Sequence, residues 1–579
     1  MRNLFILAIT ALTLFAMSAK QQDDNKTVDD WDYNITAESF DKNLKSRSMP
    51  MSASVASPMM KMSADSLGFS VGGAKDADNF YENIKNGYLP KVSSITYEGV
   101  FYDHYFKTEK KEECKDLFCP SYTTYKRENP YAKEEDFYIS VGLNSNIKAS
   151  DFKRKKLNIV VVLDISGSMN SSFDSYYYDK NKDANEPKVS KMQVANESLV
   201  SMINHLGDDD RLGVVLFDNQ AYSAKPLRLI KYTDIGAIKK HILDLKSRGG
   251  TNWSEGYKKG VTLFDTIEDE LKNKKTYENR VIFLTDAMPN RGELKEEGLF
   301  GLVDKASKEG IYTTFIGVGV DFNNDLVEAV SKTKGANYFA VHSADEFKKR
   351  LDEEFDFMVT PLVFDLSLKL TSSTNKIEAV YGSPDANKAT GEVMYVNTLF
   401  PSQSEDGAVK GGIVLIKTTD AKNLTLSVSY KDRSGKSYEN VQKISFDKKY
   451  TAKGSGIEKA ILLTDYVTLM QNWMIDMREG CQDKVIKRDI MIPLAKRSMI
   501  YPPDRPSFEM LESWERKSCS LKVSQGYKKL LSIFEEDFTK KAKSFEDDKF
   551  EKELDALKAL LSSKTKPTND VIDDWNSKR

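Results

Sequence analysis

The sequence is poor in the residues on which much protein chemistry is built. Its 579 residues include four histidines and four cysteines. None of the histidines, His104, His205, His241 and His342, stands in the H-E-x-x-H arrangement of a zinc protease. The Cys114 to Cys119 spacing lacks a second nearby pair, so it does not make a zinc site. Charge of either sign is also without excess: 85 Lys and Arg stand against 87 Asp and Glu. No overall basic field is available to hold nucleic acid, so partner choice is local. Past the amino end no segment is apolar for long enough to span a bilayer, and the lysine-rich carboxyl end lacks the apolar tail of a lipid-anchored precursor.

The amino end itself reads "MRNLFILAITALTLFAMSAK". One arginine, an apolar stretch from Leu4 to Met17 and small residues at Ala16, Ser18 and Ala19 match a cleaved secretory signal over residues 1–18. The apolar part is shorter than the ~20 residues a spanning helix needs. The mature chain is expected to be secreted or to sit at the cell surface or in a periplasm. The even number of cysteines agrees with an oxidising compartment. Cys114 and Cys119 could close a small loop and Cys481 and Cys519 could staple the carboxyl-terminal region, but the sequence does not choose among the three connectivities.

A chain of this length is too long for one core. Residues 19–74, rich in Ser, Met, Asp and Lys without period, read as a disordered linker. Residues 75–155 form a flanking region with β-strands: "DNFYENIKNGYLP" reads as a short helix ended near Gly87 and Pro90, and Phe137, Ile139, Val141 and Leu143 alternate. Over 156–358 apolar strands such as "NIVVVL", "RLGVVLF", "RVIFLTDA", "YTTFIGVGV" and "NYFAV" alternate with amphipathic helices. That pattern predicts an α/β unit, a doubly wound, mainly parallel sheet of Rossmann-like type. Residues 359–455 return to alternation, as at Leu424, Leu426, Val428 and Tyr430, and predict a β-rich domain. An alternating strand also precedes the α/β unit, so that unit is expected to be inserted in, or flanked by, the β-rich domain. Residues 456–579 predict a helical carboxyl-terminal region, with Ala460, Leu463, Val467, Met470, Met474 and Met477 at steps of three and four.

The stretch "LNIVVVLDISGSMNSS" ends a buried strand in a carboxylate and small hydroxyl residues. In a doubly wound sheet Asp164 and Asp286 both lie at carboxyl ends of strands and face one crevice. Ser166 and Ser168 follow the first, and the "RGGTNWS" segment adds Thr251. This all-oxygen set suits Mg²⁺, Mn²⁺ or Ca²⁺ better than zinc. Taken alone, Asp164 would be read as a capping carboxylate. The long connection that follows carries Tyr176, Tyr177 and Tyr178, an expected aromatic rim for a partner.

At these residues the sequence resembles the von Willebrand factor type A family with a complete metal-ion-dependent adhesion site, the pattern Asp-x-Ser-x-Ser with a distant Thr and a distant Asp. The resemblance covers about a third of the chain, and the flanks "ENIKNGYLP" and "ITYEGVFYDHYF" resemble secreted or envelope proteins of bacteria and protists that carry this domain. It implies a divalent cation bound by Asp164, Ser166, Ser168, Thr251 and Asp286, with an open position filled by an Asp or Glu of a protein partner. That is adhesion rather than catalysis. An alternative is an extracellular matrix protein resembling the heavy chains of inter-alpha-trypsin inhibitors. Those are ester-linked to glycosaminoglycan through an Asp released at an Asp-Pro bond, and no Asp-Pro occurs here. A metal-dependent hydrolase with Asp164 as nucleophile is disfavoured, because the position two residues on, where an acid–base carboxylate is wanted, is Ser166.

Overall fold

The computed structural model describes residues 27–33, 66–71, 77–108, 115–128, 135–172, 189–272, 276–286, 296–318, 333–341, 351, 354–372, 377–383, 391–419, 422–446, 455–478, 519–545 and 550–563. The chain opens with β1 (Ser66–Val71), α1 (Asp78–Lys85), α2 (Tyr97–Tyr102), β2 (Tyr105–Lys107), β3 (Phe118–Glu128) and β4 (Glu135–Lys148). An α/β stretch follows: β5 (Lys156–Asp164), α3 (Lys191–Ile203), β6 (Arg211–Phe217), β7 (Ala221–Leu229), α4 (Ile235–Leu243), α5 (Trp253–Thr262), β8 (Tyr277–Thr285), α6 (Glu296–Glu309), β9 (Ile311–Val318), β10 (Asn337–Val341) and α7 (Phe355–Met358). Then come β11 (Val363–Thr371), β12 (Ile377–Tyr381), β13 (Glu392–Ser402), β14 (Ser404–Glu405), β15 (Ala408–Lys410), β16 (Ile413–Thr418), β17 (Leu424–Asp432) and β18 (Ser437–Ile444). Three helices, α8 (Gly456–Met477), α9 (Gln525–Ser544) and α10 (Glu551–Ser562), complete the described chain.

The strands form sheets of nine, six and three. The six-stranded sheet has the order β10-β9-β8-β5-β6-β7. Its centre is β5, whose side chains alternate between two cores. Leu157, Ile159, Val161 and Leu163 join Leu199, Met202 and Ile238 on one face. Val160 and Val162 join Trp253, Tyr257 and Val303 on the other. Burial on both faces is why this strand is apolar without interruption.

The expected class, a doubly wound, mainly parallel sheet, is corrected by the pairings. Every pairing in the nine-stranded and three-stranded sheets is antiparallel. Between the strands, parallel pairing is confined to β10-β9, β9-β8, β8-β5 and β5-β6, and the edge strand β7 runs antiparallel to β6. The chain is therefore an α/β protein with mostly antiparallel sheet and carboxyl-terminal helices. The physical reason lies in the flanks. Their strands alternate in burial, as β17 does, the pattern of hairpin-linked antiparallel sheets with one covered face. The nine-stranded sheet takes β1, β3 and β4 from before the α/β stretch and its remaining strands from after it. Residues 66–71, assigned to a linker by composition, form β1 between β4 and β13.

Among the described residues no helix is long and apolar enough to cross a membrane. The stripe from Ala460 to Met477 on α8 is buried and packs with α1, α2, α9 and α10 in one apolar core.

Candidate functional site

β5 and β8 are paired in register from Lys156 with Tyr277 to Leu163 with Leu284, so Asp164 and Asp286 emerge side by side at the ends of neighbouring strands. Asp164 Oδ1 accepts from the Ser166 N–H at 2.7 Å, and Asp164 Oδ2 accepts from the Thr285 hydroxyl at 2.7 Å. A short 3-10 turn, Gly167–Asn170, carries Ser168 back toward β8. The Ser168 hydroxyl donates to Asp286 Oδ1 at 2.9 Å. It lies 3.0 Å from the Ser166 hydroxyl. Since Ser168 gives its proton to Asp286, Ser166 donates to Ser168, and the protons run in a chain toward the carboxylate.

Thr251 is buried just ahead of α5, whose amino end is capped by the Asn252 side chain. Its loop is stitched to the Ser166 loop by the Gly167 N–H, which donates to Gly249 O at 3.1 Å, and by the Arg248 N–H, which donates to Ile165 O. Gly249 has φ +70° and a Cβ there would meet Asp218 at 3.2 Å, which explains a glycine at this turn. The structure thus joins Asp164, Ser166, Ser168 and Asp286 by hydrogen bonds and sets Thr251 on the adjoining loop.

The Lys191 ammonium lies 3.3 Å from Asp286 Oδ2, both side chains being fully buried. The Asp164 carboxyl is pushed up to about 7, first by burial and next by the charge of Asp286, against the bonds from Ser166 and Thr285.

The expected metal-ion-dependent adhesion site, with Mg²⁺, Mn²⁺ or Ca²⁺ held by Asp164, Ser166, Ser168, Thr251 and Asp286, is corrected on this geometry. Among the described residues no group of three or more His, Cys, Asp or Glu is placed to hold a metal ion. The cation that faces Asp286 is the Lys191 ammonium, and the Ser166 and Ser168 oxygens are committed to each other and to Asp286. The residues present do not fit a divalent cofactor: the cluster is a hydrogen-bonded, buried ion pair.

Lys191 and Thr285 escaped the sequence reading. A lysine at the first helical position, where the helix dipole disfavours positive charge, was the available signal. Thr285 carried none beyond its place next to Asp286. The expected rim, Tyr176, Tyr177 and Tyr178, lies outside the described residues, as do Cys114, Cys481 and the signal over 1–18. Cys119 and Cys519 are both disulfide-bonded.

Residues 158–353 match the family model of the von Willebrand factor type A domain. Over those residues the chain is similar to the von Willebrand factor type A domain. An uncharacterized protein of Synechocystis, sll0103, is 27% identical over 200 residues, 34% of this chain and 41% of that protein. The mouse inter-alpha-trypsin inhibitor heavy chain H2 is 22% identical over 207 residues, 36% of this chain and 20% of that protein. The chain therefore spans about two fifths and one fifth of the length of these relatives. Among solved structures, a von Willebrand factor type A protein from Catenulispora acidiphila is similar at 15% identity and a TM-score of 0.36, covering 63% of this chain and 81% of that one.

Proposed function

We propose that this von Willebrand A protein is an exported, non-catalytic binding protein, and that the loops which carry Ser166, Ser168 and Thr251 form its face for a protein partner, without a bridging metal. The observation that carries this reading is the closed network at the end of β5. Both Asp164 oxygens accept hydrogen bonds, and Ser168 gives its proton to a carboxylate paired with Lys191. A hydroxyl bonded in that way, with no histidine bonded to it among the described residues, is held rigid rather than activated as a nucleophile. Ser166, Ser168 and Thr251 are buried, so the network fixes the loops that carry them, and preorganised loops suit recognition. Exported character is supported by the signal pattern at residues 1–18 and by the disulfide-bonded Cys119 and Cys519. The similarity to inter-alpha-trypsin inhibitor heavy chains over this domain favours the alternative reading of an extracellular matrix protein resembling them.

The test is surface-plasmon titration of the full chain over immobilised matrix proteins and glycosaminoglycans, with and without EDTA. The expected result is saturable binding to a protein surface that persists in EDTA and is lost with Asn170→Tyr, at an exposed position of the turn that carries Ser168. Binding that EDTA abolishes, or binding to polysaccharide alone, would overturn the proposal.

A further inference from the structure

The edge of the six-stranded sheet is covered by an amino-terminal segment of the chain. β7 is the terminal strand of that sheet, and an open strand edge presents unpaired amide groups. Residues 27–33 lie against it. The Val28 N–H donates to Tyr232 O at 3.0 Å, the Asp234 N–H to Val28 O at 2.9 Å, and the Asp32 N–H to Ala224 O at 2.8 Å.

Asp29 lies 2.9 Å from His241 Nε2 of α4, and the Trp31 ring stacks on the same imidazole at 5.4 Å and 8°. Asp30 lies 3.2 Å from Lys225 Nζ of β7, an ammonium that is fully buried and also donates to Leu212 O and Pro226 O. Tyr33 meets Tyr222 edge-on at 5.3 Å, and the Arg248 guanidinium covers both rings at 5.5 and 5.1 Å. The receiving strip therefore offers a strand edge, two cations, an imidazole and an aromatic ring in an order that matches an acidic–aromatic peptide. Among the described residues, the carboxylate that Lys225 meets is Asp30. A buried ammonium left without a carboxylate is costly, so the strip requires an acidic occupant.

We propose that the strip formed by the edge of β7, residues 230–234 and α4 is a recognition site for an extended acidic–aromatic peptide of a partner protein, occupied in the resting chain by its own residues 28–33. Main-chain bonds to the edge would give affinity, and the contacts at Lys225, His241 and Arg248 specificity, the mode of strand addition. The strip adjoins the Ser166 loop at Arg248, but the peptide readout below does not use Ser166, Ser168 or Thr251, so failure of either proposal leaves the other standing.

The covalent segment competes with any peptide in trans at an effective concentration of about millimolar. Full-length protein with Asp30→Ala and Trp31→Ala weakens that competitor while leaving the strip unchanged. The probe is a fluorescein-labelled peptide with the sequence of residues 27–33, TVDDWDY, followed by anisotropy. The double variant is expected to bind it roughly 100-fold more tightly than the wild-type chain, the factor that a millimolar competitor imposes on a peptide of about 10 µM affinity. A control peptide with both leading aspartates changed to asparagine is expected to lose that binding. Equal affinity for the two proteins, no saturable binding to either, or equal binding of the neutralised peptide would overturn the proposal.

Discussion

A lysine at the first position of a helix meets the positive end of the helix dipole, yet Lys191 opens α3 and is fully buried. Its position follows from the pairing with Asp286, and removing one member of a buried pair leaves an uncompensated charge. Lys191→Met is accordingly expected to cost roughly 3–5 kcal/mol of stability, measured by urea unfolding. Adding Asp286→Asn should restore most of it, because both charges then leave together. An additive, larger loss in the double variant would show that the two side chains are not coupled. Lys225 makes a second residue-scale prediction through pH. Burial, the largest cause, depresses its ammonium to about 8 from 10.5 despite the pull of Asp30. Unfolded chain then holds more protons than folded chain between those values, so stability rises with pH across that window and is lost as pH falls through about 8. The group's contribution is on the order of 3 kcal/mol. Subtracting the stability profile of Lys225→Met from that of wild type should leave this slope between pH 8 and 10.5; parallel profiles would sink the assignment.

Helix α5 shows how an element can be placed by what its residues omit. It carries Gly256 and Gly260 on one face, and a Cβ at Gly260 would stand 2.4 Å from the Val162 side chain, one at Gly256 2.7 Å from the Phe217 ring. The glycines let the helix lie directly on β5 and β6, which sets Thr251 and the Asn252 cap beside the Ser166 loop. Alanine in a helix is worth about 1 kcal/mol over glycine, but forcing a methyl into a filled interface costs typically 1–3 kcal/mol. Gly260→Ala is therefore expected to destabilise on balance, with thermal unfolding as the readout; a raised midpoint would mean that Val162 gives way freely. The sequence was legible where one period dominates: the apolar run of β5 and the stripe of α8 stand where periodicity put them. It was silent on β7, whose Pro226 demotes a run to non-strand unless it lies at an edge, and that is where the strand lies. At the site, the residue types Asp164, Ser166, Ser168 and Asp286 were readable from spacing. Their charge partner was not, because Lys191 reaches Asp286 across 95 residues of chain.

At the scale of the whole molecule, the α/β stretch and the antiparallel sheet that surrounds it in sequence are locked through a few buried polar contacts. Glu278 of β8 takes Arg280 at 2.8 Å on one oxygen and Arg433, which follows β17, on the other. Arg433 also donates to Pro361 O at 3.0 Å, on the connection between the two sheets. The Gly335 N–H ahead of β10 donates to the Thr398 hydroxyl of β13 at 2.7 Å, and Tyr102 of α2 donates to Glu354 at 3.0 Å. Because the chain leaves the antiparallel sheet after β4 and returns at β11, separating the sheets would break these contacts together. The wild-type chain is expected to lose protection in β8 and β17 in one step, as a single cooperative unit. Arg433→Ala removes one guanidinium from Glu278 and leaves Arg280 in place, so neither sheet loses its own core. Removing a partner from a buried pair costs roughly 3–5 kcal/mol, and here that cost falls on the junction. Hydrogen exchange followed by mass spectrometry should then show peptides of β8 and β17 opening at separate denaturant concentrations. Coincident opening in the variant, at the wild-type midpoint, would show that the sheets are coupled through their apolar contacts and that the Glu278 contact contributes nothing to their union.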